Sequence, residues 1–160
     1  MKTITTIIAM MFACQTLWAA KEKTTVVTSP DGTLKVTAVT NTEGMTWKVE
    51  QDGKNVILPS AINISIGGKK CISQAAKETA RKNVDKTVNL FYAKRKQIRE
   101  QYQTVTLAFA NGVSVELRAY DDFAAYRILI DNGKRERVVD NETAEFRFAD
   151  DYKAFVPYVN

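Results

Sequence analysis

The chain has 160 residues, room for one domain of ordinary size or part of a larger protein, and 45% of them are apolar, which excludes a disordered chain. Histidine is absent, which excludes Ser/His/Asp and Cys/His catalysis and every histidine-containing metal site. The net charge of +5 is unevenly spread: between Lys69 and Arg99 ten Lys and Arg meet Glu78 and Asp85, whereas from Glu116 onward ten Asp and Glu meet seven Lys and Arg.

Residues 1–20, MKTITTIIAMMFACQTLWAA, have the pattern of a secretory signal peptide: Lys2 gives the positive start, Ile7–Ala13 the apolar run and Ala19 a small residue at the cleavage site. The apolar run is much shorter than the ~20 residues of a spanning helix, so the sequence predicts export to the periplasm or beyond and no membrane span. Met11-Phe12-Ala13-Cys14 also resembles a lipoprotein cleavage site, with Met11 where Leu is usual, which leaves lipid anchoring as a minor alternative. Cys14 leaves with the signal, so Cys71 has no partner for an internal disulfide and reads as a small buried apolar residue.

The remaining 140 residues, 21–160, read as one all-β domain. Thr24–Thr28 is β-branched throughout, Ser29-Pro30-Asp31-Gly32 is a turn, and Leu34, Val36 and Ala38 alternate with Lys35, Thr37 and Val39. Met45–Gln51 alternates again, Asp52-Gly53 is a hairpin dipeptide, and Lys54–Leu58 returns until Pro59-Ser60 ends the run. Ala61–Ile66 places Ile62, Ile64 and Ile66 on one face before Gly67-Gly68. The spacing predicts an antiparallel meander of a β-sandwich or barrel.

Ile72, Ala75, Ala76, Thr79 and Ala80 then recur at helical spacing, and propensity predicts a helix over Ser73–Arg81. Val88–Ala93 reads as a strand, Lys94–Gln101 as a basic connector and Tyr102–Ala110 as a strand. Asn111-Gly112 is a hairpin turn of the kind that needs positive φ twice. The clearest stretch follows: Val113, Val115, Leu117 and Ala119 share one face, Asp121-Asp122 breaks the run, and Tyr126, Ile128 and Ile130 share a face of the next strand. Arg137–Val139 and Glu145–Phe148 are short strands, and Tyr152–Asn160 ends the chain on aromatics, as a closing strand or a cut end.

The basic middle could bind a polyanion, but aromatics do not interleave with its cations, so a solvated face is favoured and no nucleic-acid partner is expected. Asp121-Asp122, Asp140 with Glu142, and Asp150-Asp151 are the carboxylate groupings. Adjacent strand residues point to opposite faces, so such a pair cannot supply two carboxylates across a glycosidic bond; turn roles explain these acids. No EF-hand loop, P-loop or nucleophile elbow is present, so no catalytic residue and no metal ligand is assigned. Trp47, Phe91, Tyr92, Tyr102, Tyr120, Tyr126, Phe155 and Tyr158 could stack on sugars or fill the core. Trp47, Tyr92, Tyr102 and Tyr158 are the carbohydrate-contact candidates.

Taken in order, Ser29-Pro30-Asp31-Gly32 with Leu34-Lys35-Val36, Trp47–Leu58 with Asp52-Gly53-Lys54, Val56–Ser60, Ile98–Tyr102 leading to Val105-Thr106-Leu107, and ELRAYDDFAAYRI within Val115–Ile128 resemble the N-terminal domain of glycoside hydrolase family 97. That exported bacterial family comprises α-glucosidases and α-galactosidases. The resemblance implies an antiparallel β-sandwich of the galactose-mutarotase-like supersandwich type, incomplete over 21–160, without activity alone. In the complete enzyme it would pack on a catalytic barrel and help shape an α-glycoside pocket. The resemblance implies calcium there too, but its glutamate would lie just after Phe155–Tyr158, so no cofactor is assigned to this chain. Phe91-Tyr92-Ala93 stands where members often carry Trp-Gly-Glu, and the family runs loop and strand through 73–81, against the helix. A stand-alone secreted carbohydrate-binding module and a secreted β-sandwich protein-interaction domain are the alternatives.

Overall fold

The computed structural model describes residues 22–153 apart from 92–93, 132 and 134–135. The signal-peptide pattern with Cys14, the candidates Tyr92 and Tyr158, and the aromatic chain end from residue 154 lie outside the described residues.

β1 (Lys23–Thr28), β2 (Leu34–Thr40), β3 (Met45–Gln51) and β4 (Lys54–Ile66) form the antiparallel meander that the turn signals predict. Asp52 and Gly53 both take positive φ, at 51° and 76°, as a tight hairpin of this kind requires. β5 (Lys69–Lys70), β10 (Val139–Ala144) and β11 (Arg147–Phe148) pair with β4 and complete the first sheet. The second sheet is β6 (Lys77–Asn89), β7 (Gln97–Ala108), β8 (Val113–Ala119) and β9 (Ala124–Ile130), in sequence order.

The two sheets enclose one core because alternate residues of both point inward. From the first sheet come Val27, Leu34, Val36, Ala38, Trp47, Val49 and Ile62; from the second, Val105, Leu107, Val113, Val115 and Leu117. These are the faces that alternation assigned. The segment between β5 and β6 carries the chain from one sheet to the other and plugs the core with Cys71, Ile72 and Ala76. Its backbone is satisfied by side chains: buried Asn63 donates Nδ2 to Ile72 O at 2.9 Å, and Ala76 N donates to Thr40 Oγ1 at 3.0 Å.

Several expectations are corrected. Ser73–Arg81 is not a helix: Lys77 onward is β6, paired with β7 from Lys77↔Ala108 to Asn89↔Gln97, and cross-strand pairing outweighs the helix propensity of Ala, Lys and Gln. This strand absorbs the start of the Val88–Ala93 run, and β7 begins at Gln97, inside the expected basic connector. Pro59-Ser60 does not end a strand either. β4 runs through it because the register with β3 shifts between Trp47↔Ser60 and Val49↔Ile57, an irregularity where the missing N–H of proline costs no ladder bond. Finally, β7 and β8 are joined by a 3-10 turn, Ala110–Gly112, with Gly112 at φ 72°, rather than by a two-residue hairpin turn.

Candidate functional site

The turn between β8 and β9 is where exposed chemistry gathers. Tyr120 N donates to Phe123 O at 2.9 Å and closes the turn, with Asp121 and Asp122 at its tip. Asp121 Oδ1 accepts the Asp31 N–H at 3.1 Å, which ties this turn of the second sheet to the β1–β2 turn of the first.

A ladder of rings leads to that turn. The Arg118 guanidinium lies 4.6 Å over the Tyr102 ring, Tyr102 is 4.8 Å from Tyr120, and Tyr120 stacks on Phe123 at 3.9 Å with 15° between planes. Behind it, Arg118 Nε and Arg127 Nη2 donate to the two oxygens of Glu116 at 2.6 and 3.1 Å. Burial alone would raise the Glu116 carboxyl, but the bonds from Arg127 and Arg118 outweigh it and hold it below the usual range. Burial likewise would lower the Arg118 guanidinium; the Tyr120 hydroxyl and Glu116 carboxylate push it up instead. The ladder is therefore fixed by charge at one end and open at Phe123, which is 48% exposed.

Two clefts share Asp121, Asp122 and Phe123. One, of about 570 Å³, is completed by Ile98–Gln101 of β7 and Tyr120; the other, of about 480 Å³, by Leu34, Val49, Gln51, Val56 and Ile57 at the end of the core. A third, of about 400 Å³, opens on the flank between β9 and β10, where Trp47 meets Tyr126 at 5.1 Å and Phe146 at 5.6 Å, both edge-on. Burial and the nearby Glu142 carboxylate raise the Tyr126 hydroxyl. On and beside the edge strands β10 and β11, Val138, Val139, Phe146, Phe148 and Tyr152 are between 45% and 75% exposed.

Of the candidates named from sequence, Trp47 is enclosed at 2% exposure and Tyr102 at 6%, so neither offers a ring face to solvent. Trp47 is in phase with buried Met45 and Val49, a signal the alternation of β3 already carried. Phe123 was not among those candidates; its position beside the acidic turn was legible, its stacking on Tyr120 was not. The carboxylates accept backbone N–H groups, two of them across the fold: Asp121 as above, Asp140 from Gly68 N at 2.7 Å, and Asp150 from its neighbour Asp151 N at 2.8 Å. Asp140 and Glu142 lie on β10 rather than in a turn. Among the described residues no three Cys, Asp or Glu side chains converge to hold a metal. No helix of the described residues is long and apolar enough to cross a membrane.

The family model for the glycosyl-hydrolase 97 N-terminal domain matches residues 27–160. The chain belongs to this family. It is 32% identical, over 99% of its length, to the retaining alpha-galactosidase of Bacteroides thetaiotaomicron, of which it spans 24%. Among solved structures, the fold is shared with a glycoside hydrolase family 97 enzyme from Pseudoalteromonas sp. strain K8, in complex with panose as a substituted variant and in complex with acarbose. That likeness has a TM-score of 0.65 and 21% identity, and covers 78% of this chain and 20% of that one. A beta-arabinopyranosidase gives a TM-score of 0.66 at 21% identity, over 78% and 21% of the two chains. At this identity the structures speak for the fold.

Proposed function

We propose that this family 97 N-terminal domain is a non-catalytic module of an exported α-glycosidase, which packs on a catalytic barrel and helps shape the sugar pocket. The observation that carries the reading is the exposure of Val138, Val139, Phe146, Phe148 and Tyr152, large apolar groups on and beside the edge strands β10 and β11 that solvent alone would not favour. This edge adjoins the open edge of β9, so a partner seated there would cover the Trp47–Tyr126–Phe146 cluster and both sheet edges at once. The retaining alpha-galactosidase relative, about four times as long, supports such a partner. Asp121, Asp140 and Asp150 accept backbone N–H groups, and Glu50, Glu78, Asp85, Glu100 and Glu116 are ion-paired with Lys or Arg, in keeping with chemistry supplied elsewhere.

The test is a chimera in which this chain replaces the corresponding N-terminal region of that alpha-galactosidase. The chimera is expected to hydrolyse an aryl α-galactoside, the chain alone is expected not to, and Phe146→Asp with Phe148→Asp is expected to abolish activity of the chimera while the isolated domain stays folded. Hydrolysis by the isolated chain, or a chimera indifferent to the two substitutions, overturns the reading.

A further inference from the structure

We propose that the cleft between β7 and the β8–β9 turn binds a neutral pyranose sugar, with Phe123 as the stacking face and Arg99, Glu100 and Asp122 as partners for its hydroxyls. The cleft is separate from the apolar flank, and nothing in the docking reading requires it.

Three features of the cleft point to this ligand. The first is the ring ladder. A sugar ring presents a flat face of C–H groups, and an aromatic ring held still by its own neighbours gives that face a surface without losing side-chain freedom on binding. Phe123 is such a ring, stacked on Tyr120, which packs on Tyr102 under Arg118.

The second is the polar rim. Arg99 donates Nε and Nη2 to Asp85 at 2.8 and 2.7 Å, which fixes the guanidinium and leaves its remaining N–H groups as donors. Glu100 is held by Lys86 at 3.1 Å, and Asp121 by the Asp31 N–H. Arg99, Glu100 and Asp122 line one cleft with the Phe123 ring, which suits a ligand whose rim is all hydroxyls.

The third is unpaired backbone. β7 pairs with β6 along its whole length, but its pairing with β8 stops at Gln103↔Ala119, so among the described residues no strand faces the other edge of β7 from Gln97 to Tyr102. Ile98–Gln101 of this edge line a cleft of about 570 Å³, a volume suited to a small ligand. A peptide could add to the same edge, but strand addition takes its specificity from apolar pockets for alternate side chains. Here Ile98 is the one apolar residue in the run Ile98–Gln101, so the side chains favour the sugar.

The experiment titrates the full chain with maltotriose and with methyl α-D-galactopyranoside, by saturation-transfer NMR and calorimetry. Binding of at least one is expected with a Kd of about 1 mM, the range for one stacked ring and a few solvent-competed hydrogen bonds. Phe123→Ala is expected to weaken it about tenfold and Asp122→Asn several-fold, while Phe91→Ala, at the far tip of the β6–β7 hairpin, leaves it unchanged. Circular dichroism of each variant establishes that it is folded. The proposal is overturned if neither sugar binds the folded chain, if Phe123→Ala binds as tightly as the parent, or if an extended peptide of alternating Thr and Val binds at Ile98–Gln101 and the sugars do not. Failure here leaves the chimera experiment untouched, and failure of the chimera leaves this titration untouched.

Discussion

Trp47 is the largest fully buried side chain among the described residues, and it meets Tyr126 and Phe146 edge-on. Trp47→Ala is expected to cost about 3–5 kcal/mol, the range for emptying a large aromatic site, read as a fall in the urea midpoint; a loss under about 1 kcal/mol would mean that the site collapses without penalty. Glu116 allows a test by pH. Its carboxyl is depressed in the folded chain, so the Arg118 and Arg127 contacts contribute fully above the unfolded value and are lost as pH falls through the lower, folded one. Stability measured against Glu116→Gln is therefore expected to narrow by about 1 kcal/mol between roughly pH 5 and pH 3. Parallel profiles would exclude the effect. At this scale the sequence was informative where a residue's phase along a strand decides its burial, as for Trp47. It was silent on Tyr102, which is covered by Arg118 and Tyr120.

The hairpin of β6 and β7 outruns the sheet that supports it: its pairs from Val84↔Tyr102 to Asn89↔Gln97 lie past the last β7–β8 pair, and Phe91 at its tip is 92% exposed. Two features kept this arm hidden from a reading of the residues. Helical spacing in Ile72–Ala80 reflects two residues, Ile72 and Ala76, that plug the core from an irregular segment, and the basic run at 94–96 looks like a connector although it turns a long ribbon. The meander of β1 to β4, by contrast, was legible because Pro-Asp-Gly and Asp-Gly name their turns, and Pro59 misled only because a bulge lets β4 continue. The β7–β8 turn has its own test. A Cβ on Gly112 would stand 2.8 Å from Asp131 O, and the backbone there has φ 72°. Gly112→Ala is expected to destabilise by about 2 kcal/mol or more, since contact and conformation both oppose it. A neutral change in thermal midpoint would show that the Asp131 backbone gives way.

At the scale of the molecule, the crossover between β5 and β6 joins the two sheets, and β9 and β10 are edge strands among the described residues. β9 is a seven-residue edge, AAYRILI, with one charge and no strand beyond it among the described residues. Such an edge recruits other chains, so the isolated domain is expected to self-associate, and Leu129→Lys, on the face away from the core, to reduce this. Light scattering at matched concentration decides it; equal association in both would place the contact elsewhere.

The route of the chain between the sheets has a further consequence. A single protease cut within the exposed basic tip at 94–96 would leave β1 to β6 on one piece and β7 to β11 on the other. Neither piece could build either sheet alone, because the first sheet needs β10 and β11 from the second piece and the second sheet needs β6 from the first. Nicked protein should therefore migrate as one native particle and separate into two only in denaturant, and the two halves made separately should find each other. The arm is thus a place where the chain can be opened without the fold coming apart.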